Sequence, residues 1–308
     1  MSENPYELAD KTVEAPIHGG PVVDLLNKLK LPLDFSLPYR LEKMFPKVEG
    51  FGAKGQVKRR AKLIREVEPR LRDFLLEGEE VWYIAKGIQH SIIEAMTIGA
   101  LWSNMINQTV FVLTNARIVM MHSNAKGKTS EPCWMLYYNE ISTFKARFTG
   151  VVKLKLKDKK NITFSGFPKG DRKSMPAIFE EAVEGYRAKG FAPESSQSRE
   201  DACGHCFTVI PKGTYECRKC HATFWKASEI ATRSLIFPAW GDFIMKHNLL
   251  AVVEILGYLF SWVIAAGAFA RGDIIFGVII LALAHGIDAL VTLLVAKKGL
   301  HTRTEPKY

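Results

Sequence analysis

The chain has 308 residues, enough for two or three domains. Apolar residues make up 47% and charged residues 24%, with a mean hydropathy near zero. Those values exclude wholesale disorder, collagen and a disulfide-rich secreted scaffold. The formal charge is +10, of which residues 78–190 carry +6. Such an excess suits an anionic membrane surface or nucleic acid.

Residues 1–20 are polar, with Pro5, Pro16 and Gly19-Gly20, and read as a flexible leader. The acidic start has no apolar core, so no signal peptide is expected. Residues 21–77 predict a helical segment whose first helices are broken by Pro32 and Pro38. A basic helix follows (Lys54, Lys58, Arg59, Arg60, Lys62, Arg65), and Pro69 is expected to open a fresh helical turn. The leucine- and proline-rich part either docks a partner or packs back onto the next domain.

From Gly78 the pattern turns to strands: 81–87, 108–114, 117–123, 133–138, 141–148, 151–157 and 161–167. These are β-branched and aromatic runs with turn residues between them, as in a small sheet or barrel. A tight turn is expected at Asn115-Ala116. Residues 173–187 place Met175, Ile178, Phe179, Ala182 and Val183 on one helix face. The connection 92–107 is apolar, holds no basic residue, and either packs on the sheet or dips into a membrane or partner. Lys153, Lys155 and Lys157 alternate with Val152, Leu154 and Leu156, and Lys159 and Lys160 follow. One strand face is therefore basic. It is either a solvated edge strand protected by lysines or an anionic-surface binding site.

The segments EGEEVWYIAKG (77–87), VFVLTNARIVMM (110–121) and YYNEISTF (137–144) resemble those of bacterial pleckstrin-homology (PH) and GRAM-type domains. The resemblance covers about residues 75–188. It implies a PH-like seven-stranded β-barrel with a C-terminal helix over 78–190, serving as a binding or scaffolding module with no catalytic machinery. Members that read phosphoinositides carry basic residues around the first strand hairpin, whereas the connection 92–107 here has none and contains Glu94.

Five cysteines is an odd number, and four form two C-x-x-C pairs: Cys203 with Cys206, and Cys217 with Cys220. That spacing sets four thiolates around one Zn²⁺. It resembles a rubredoxin-type zinc ribbon over 199–226, with Pro211-Lys-Gly213 as its turn. Four protein ligands close the coordination shell, so a structural role is expected; redox-active dithiols and a nucleic-acid-reading ribbon are the alternatives. Cys133 is left over, as a small buried residue in a strand.

Residues 227–248 mix aromatic and basic side chains, which suits a membrane-interface linker or a helix packed on the ribbon. Then come two apolar runs of about 22 residues, 249–270 and 274–296. Each matches the ~20 residues of a membrane-crossing helix. The short Arg271-Gly272-Asp273 link makes them a transmembrane hairpin with both ends on one side. Lys246 before it and Lys297, Lys298, Arg303 and Lys307 after it place the soluble domains and the 297–308 tail in the cytoplasm. The inner membrane of a bacterium is the expected location. Glu254, His285 and Asp288 interrupt the apolar runs. They handle protons or ions, contact a partner helix, or fix the hairpin. Counted from Gly272, Glu254 and Asp288 lie at similar depths, and His285 and Asp288 share a helix face.

The expected fold class is thus a multidomain α+β membrane protein. No P-loop, G-x-S-x-G, H-E-x-x-H or dinucleotide fingerprint is present, so no enzyme is expected. The first functional reading is a membrane-anchored adaptor that binds a membrane-associated protein or its own copies, with structural Zn²⁺ and membrane lipids as the other partners. Tethering about 25 residues from the membrane argues against nucleic acid. The alternatives are a subunit of a transport or channel complex and an anionic-lipid-binding module.

Overall fold

The computed structural model describes residues 20–89, 91–190 and 193–306. The leader expected over 1–20 lies outside the described residues except for Gly20, as does Lys307 of the tail. The chain divides into two compact units: Met1–His90 with Asn107–Thr214, and Ser91–Ile106 with Tyr215–Tyr308.

The first unit opens with α1 (Pro21–Lys28), α2 (Leu41–Met44) and α3 (Ala53–Phe74). Pro21 occupies the first helical position, where its missing N–H costs nothing. The proline-rich stretch between α1 and α2 packs back: Leu31, Leu33 and Leu37 join Leu26, Met44 and Phe45 in a core against α3. Pro69 does not open a new helix. It sits inside the unbroken 22-residue α3, because Val67, Leu71 and Phe74 continue the buried stripe of Val57, Ala61 and Ile64 across it.

All seven expected strands form: β1 (Val81–Gln89), β2 (Gln108–Thr114), β3 (Arg117–Ser123), β4 (Thr129–Tyr137), β5 (Ile141–Ala146), β6 (Val152–Leu156) and β7 (Asn161–Ser165). α6 (Lys169–Lys189) closes them, numbered after two helices, α4 (Ile92–Thr97) and α5 (Ala100–Ile106), that interrupt the β1–β2 connection. The sheet is not the closed seven-stranded barrel expected. It is open, antiparallel and nine-stranded, in the order β5-β6-β7-β1-β2-β3-β4-β8-β9, where β8 (Glu200–Ala202) and β9 (Val209–Ile210) come from the cysteine-rich segment. β8 hydrogen-bonds along the outer edge of β4, with Cys133 opposite Ala202 and Met135 opposite Glu200. The edge that would close on β5 is therefore occupied.

Alternation sorts the strand side chains onto two faces. Ile84, Val110, Val112, Val119, Met121 and Cys133 face α1–α3. Tyr83, Phe111, Leu113, Ile118, Met120 and Trp134 face the opposite way, onto β5–β7 and α6. The two-residue turn expected at Asn115-Ala116 joins β2 to β3.

The second unit holds α4 and α5, then β10 (Thr223–Trp225), α7 (Ala227–Ile236), α8 (Trp240–Ile244), α9 (Asn248–Ala270), α10 (Ile274–Ala296) and β11 (His301–Thr304). α9 and α10 match the two apolar runs almost to the residue, and both are long and apolar enough to cross a membrane. Asp273 caps α10 by accepting from the Phe276 N–H at 3.3 Å. The tail returns as β11 and pairs with β10, Trp225 opposite His301, so both ends of the α9–α10 hairpin lie at one level. There Ile230, Met245, Leu250, Val291 and Val295 form a small core, joined by Ile98, Trp102 and Ile106 of the β1–β2 connection. Those last contacts differ from both expectations for the apolar connection: part of it packs on the hairpin's base, while Ile92, Met96 and Leu101 stay exposed.

Candidate metal centre and buried carboxylate cluster

The two C-x-x-C pairs fold as equivalent knuckles. In the first, the Cys203 N–H donates to Thr208 O and the Phe207 N–H to Cys203 O, both at 2.9 Å. In the second, Cys217 N–H donates to Ala222 O and His221 N–H to Cys217 O, again at 2.9 Å. Each knuckle turns on a left-handed residue just after its second cysteine: Phe207 at φ 55° and His221 at φ 56°. That turn aims both sulfurs of a pair the same way. The four sulfurs of Cys203, Cys206, Cys217 and Cys220 all lie within 4.8 Å of one another. A tetrahedron with Zn–S bonds of about 2.3 Å has sulfurs roughly 3.8 Å apart. The set therefore fits a single metal ion. His221 lies 3.5 Å from Glu216.

Gly204 explains part of the first knuckle's position. A Cβ there would stand 2.5 Å from Glu131 O on β4, so only glycine permits so close an approach of the knuckle to the sheet. Phe207 packs on Phe74 at 5.2 Å between ring centroids. Arg70 lies over the Phe207 ring at 4.8 Å and donates to Gly204 O at 2.5 Å. Cys133 is not part of the set. It is buried in β4, where burial pushes its thiol up to about 12.

On the second knuckle's side, two guanidinium groups lie over the ring of Trp225 in β10, Arg233 of α7 at 4.2 Å and Arg303 of β11 at 4.6 Å. This stacking ties ribbon, linker helix and tail together.

Three acidic side chains converge in the second unit: Asp242 of α8, Glu254 of α9 and Asp288 of α10, their carboxylate oxygens within 4.8 Å of one another. The depth count brought Glu254 and Asp288 together. It missed Asp242, which sits in an aromatic stretch with no periodic pattern, yet is buried and lies 3.2 Å from His247 Nδ1. Its sequence signal was an acidic residue among Phe237, Trp240 and Phe243, just ahead of a long apolar run. Glu254 and Asp288 also line an open cavity of about 370 Å³ with Tyr258, Trp102, Leu250 and Ile287.

His285 belongs elsewhere. Its Nδ1 lies 2.7 Å from Leu235 O and its Nε2 3.0 Å from Tyr258 Oη. A carbonyl only accepts, so the proton is on Nδ1 and the ring receives the tyrosine hydroxyl at Nε2. The face it shares with Asp288 packs on the α7–α8 segment, where Asp288 Oδ2 accepts from the Ala239 N–H at 3.1 Å.

The basic row sits on β6 and the turn after it. β6 lies between β5 and β7, so its lysines do not guard a sheet edge. Lys153 stands directly opposite Lys145 of β5. Lys157 lies 3.6 Å from Glu140 and Lys160 2.9 Å from Asp158, while Lys155 and Lys159 are exposed.

No family model matches the sequence, and no curated protein matches it. Among solved structures the chain is similar to the crystal structure of the C-terminal domain of an unknown protein from Leishmania infantum, at 14% identity over 39% of this chain and 93% of that one, with a TM-score of 0.26.

Proposed function

We propose that the chain is a non-enzymatic adaptor anchored in a membrane by α9 and α10, which presents a PH-like module and a zinc ribbon at the cytoplasmic face to a partner protein. The observation that carries this reading is the exposure of the two apolar helices. Only 17% of each one's most apolar window is buried, whereas a core helix of a soluble protein is buried on most of its surface. Lipid is the medium that suits the remainder. The seven strands and closing helix, in the order expected from the sequence, support a PH-like module whose barrel is opened by the ribbon strands. Zn²⁺ fits the Cys203, Cys206, Cys217 and Cys220 set best, and four protein ligands leave that metal no open position for chemistry.

Mild-detergent extraction, mass determination and identification of co-purifying chains test the adaptor. A stoichiometric foreign partner, or a defined homo-oligomer that recruits one, supports it; a lone monomer overturns it.

The convergence of Asp242, Glu254 and Asp288 favours a second reading, a subunit of a transport or channel complex. Like charges this close inside apolar walls repel, and a proton or cation offsets the repulsion. Loss of ion or proton flux in Glu254→Gln vesicles, with assembly intact, would select it. A third reading, anionic-lipid binding, draws on Lys145 facing Lys153, a like-charged pair that an anion between them would relieve. Vesicle binding that falls steeply with salt would select this one.

A further inference from the structure

We infer that residues 227–248 form a re-entrant helical hairpin: α7 descends beside α10 into the hydrocarbon layer, turns at Phe237-Pro238-Ala239 near mid-depth, and α8 returns to the surface. The inference rests on the membrane-spanning reading of α9 and α10 and replaces a headgroup-level linker with an element seated among acyl chains.

Depth follows from the partners. The base of the hairpin is set by Asn248 and Ala296, the first residue of α9 and the last of α10. Leu235 O is bonded by His285, eleven residues into α10 from that end, or about 16 Å at 1.5 Å per residue. Phe237 packs edge-on against Tyr258, ten residues into α9, with centroids 6.0 Å apart, again about 15 Å down. Half of a ~30 Å hydrocarbon core is the same distance.

The exposed side chains change character with that depth. Lys226, Ser228 and Thr232 are exposed at the top of α7, and Lys246 at the end of α8. Between Ser234 and Met245 every exposed residue is apolar or aromatic: Leu235, Ile236, Phe237, Trp240 and Phe243. This surface continues the exposed apolar faces of α9 and α10, and no charge interrupts it. Acyl chains are its occupant.

A chain break at such depth strands backbone groups where water cannot reach them. Here side chains take up three of those at the turn. His285 donates to Leu235 O, Asp288 Oδ2 accepts the Ala239 N–H, and Ser234 Oγ accepts the Gly241 N–H at 3.0 Å while lying 3.0 Å from Thr292 Oγ1. His285 and Asp288 thus act as caps for a neighbouring segment, which gives α10 a reason to carry polar residues.

Spin labels on the full chain in lipid nanodiscs test the idea. Ile236→Cys and Phe237→Cys are the probes, Lys226→Cys the aqueous reference and Leu283→Cys, exposed on α10, the hydrocarbon reference; label on the unsubstituted chain is subtracted. The expected ratio of oxygen to nickel-chelate collision rates at 236 and 237 matches that at 283 and is several-fold above that at 226. If 283 shows the hydrocarbon signature while 236 and 237 resemble 226, the segment lies at the surface and the inference is overturned. The same follows if 236 and 237 are shielded from both reagents, as under a protein partner. If 283 itself collides freely with nickel, the membrane-spanning reading has failed first.

Discussion

Arg117 and Glu79 form a two-bonded ion pair with almost no solvent contact: Nε to Oε1 and Nη2 to Oε2, each 2.9 Å, with side chains 5% and 0% exposed. Arg117 also donates to Phe74 O at 2.8 Å, and Glu79 Oε1 accepts from Thr114 Oγ1 at 2.7 Å. Asn115 receives the Glu80 N–H and donates to Gly78 O, both at 3.0 Å, while Tyr138 Oη donates to Thr114 O at 2.7 Å. The three segments that carry the PH-type resemblance therefore meet at one point. What they have in common there is a latch that fixes the β2–β3 turn against the end of α3.

Removing one partner of this pair strands a buried charge, so Arg117→Ala and Glu79→Ala should each cost about 3–5 kcal/mol. Arg117→Lys should recover little, because one ammonium cannot replace a two-pronged guanidinium. Glu79→Leu with Arg117→Met should recover most of the loss, since two apolar groups leave no charge behind. Thermal melts of the detergent-solubilised chain read the order, at about 2–4 °C per kcal/mol for a unit of this size. A double variant no better than the singles would show that the pair is needed for shape.

The thiols should report the metal by count. A thiol reagent at pH 8 should modify none of the five cysteines in the zinc-loaded native chain, four after chelation and all five after denaturation. Cys133 is the last because it is buried and its thiol is held at about 12, against 9.0 unperturbed. Stability from that group is complete below pH 9 and declines as pH rises toward 12, since only the unfolded chain gains from ionising it. Cys133→Ala should flatten that alkaline decline and leave metal content near one ion per chain. Cys203→Ser or Cys217→Ser should empty the site, and acid should release the ion as thiolates protonate. Metal analysis after gel filtration checks each case.

Elements with a strong local period were legible in the sequence. The seven strands, α6 and the α9–α10 hairpin were read within a few residues, because alternation, a 3.6-residue stripe or unbroken apolarity each span a whole element. The cysteine set was legible from spacing alone. β8 and β9 were not, since strands of three and two residues carry no period, and their pairing with β4 is what keeps the sheet from closing. For residues 227–248 a helix was one of two expectations, but the division into α7 and α8 and their packed face were hidden: Ile230 inside and Leu235, Ile236 and Phe237 outside are all apolar, so composition does not separate the packed face from the exposed one. Asp242 was missed with them. Arg117 stands in a motif segment, but its partner Glu79 lies thirty-eight positions away and no sequence period joins them.

Close packing holds α8 against α10. A Cβ at Gly241 would stand 2.3 Å from Thr292 Cγ2 and 2.6 Å from Ser234 Oγ, so Gly241→Ala should push α8 outward and destabilise by about 1–3 kcal/mol. Gly185→Ala in α6, where a Cβ meets nothing within 4 Å, should instead be neutral or stabilise by up to about 1 kcal/mol. Melts of the two variants side by side check the contrast, and similar shifts would refute the packing argument.

Asp288 separates the capping role from ion handling. As a cap it needs only an oxygen that accepts the Ala239 N–H, which an amide supplies as well as a carboxylate. Asp288→Asn should therefore keep the fold, and even strengthen it by easing repulsion from Asp242 and Glu254. Asp288→Ala leaves the N–H without an acceptor where water is scarce, at a cost of about 1–3 kcal/mol. If instead the carboxylate carries a proton or cation during function, Asp288→Asn should fold normally yet abolish that function. The measurement is a melt of each variant together with a complementation assay in cells. Two functional outcomes with one fold, Asn active or Asn dead, assign the cluster to architecture or to transport.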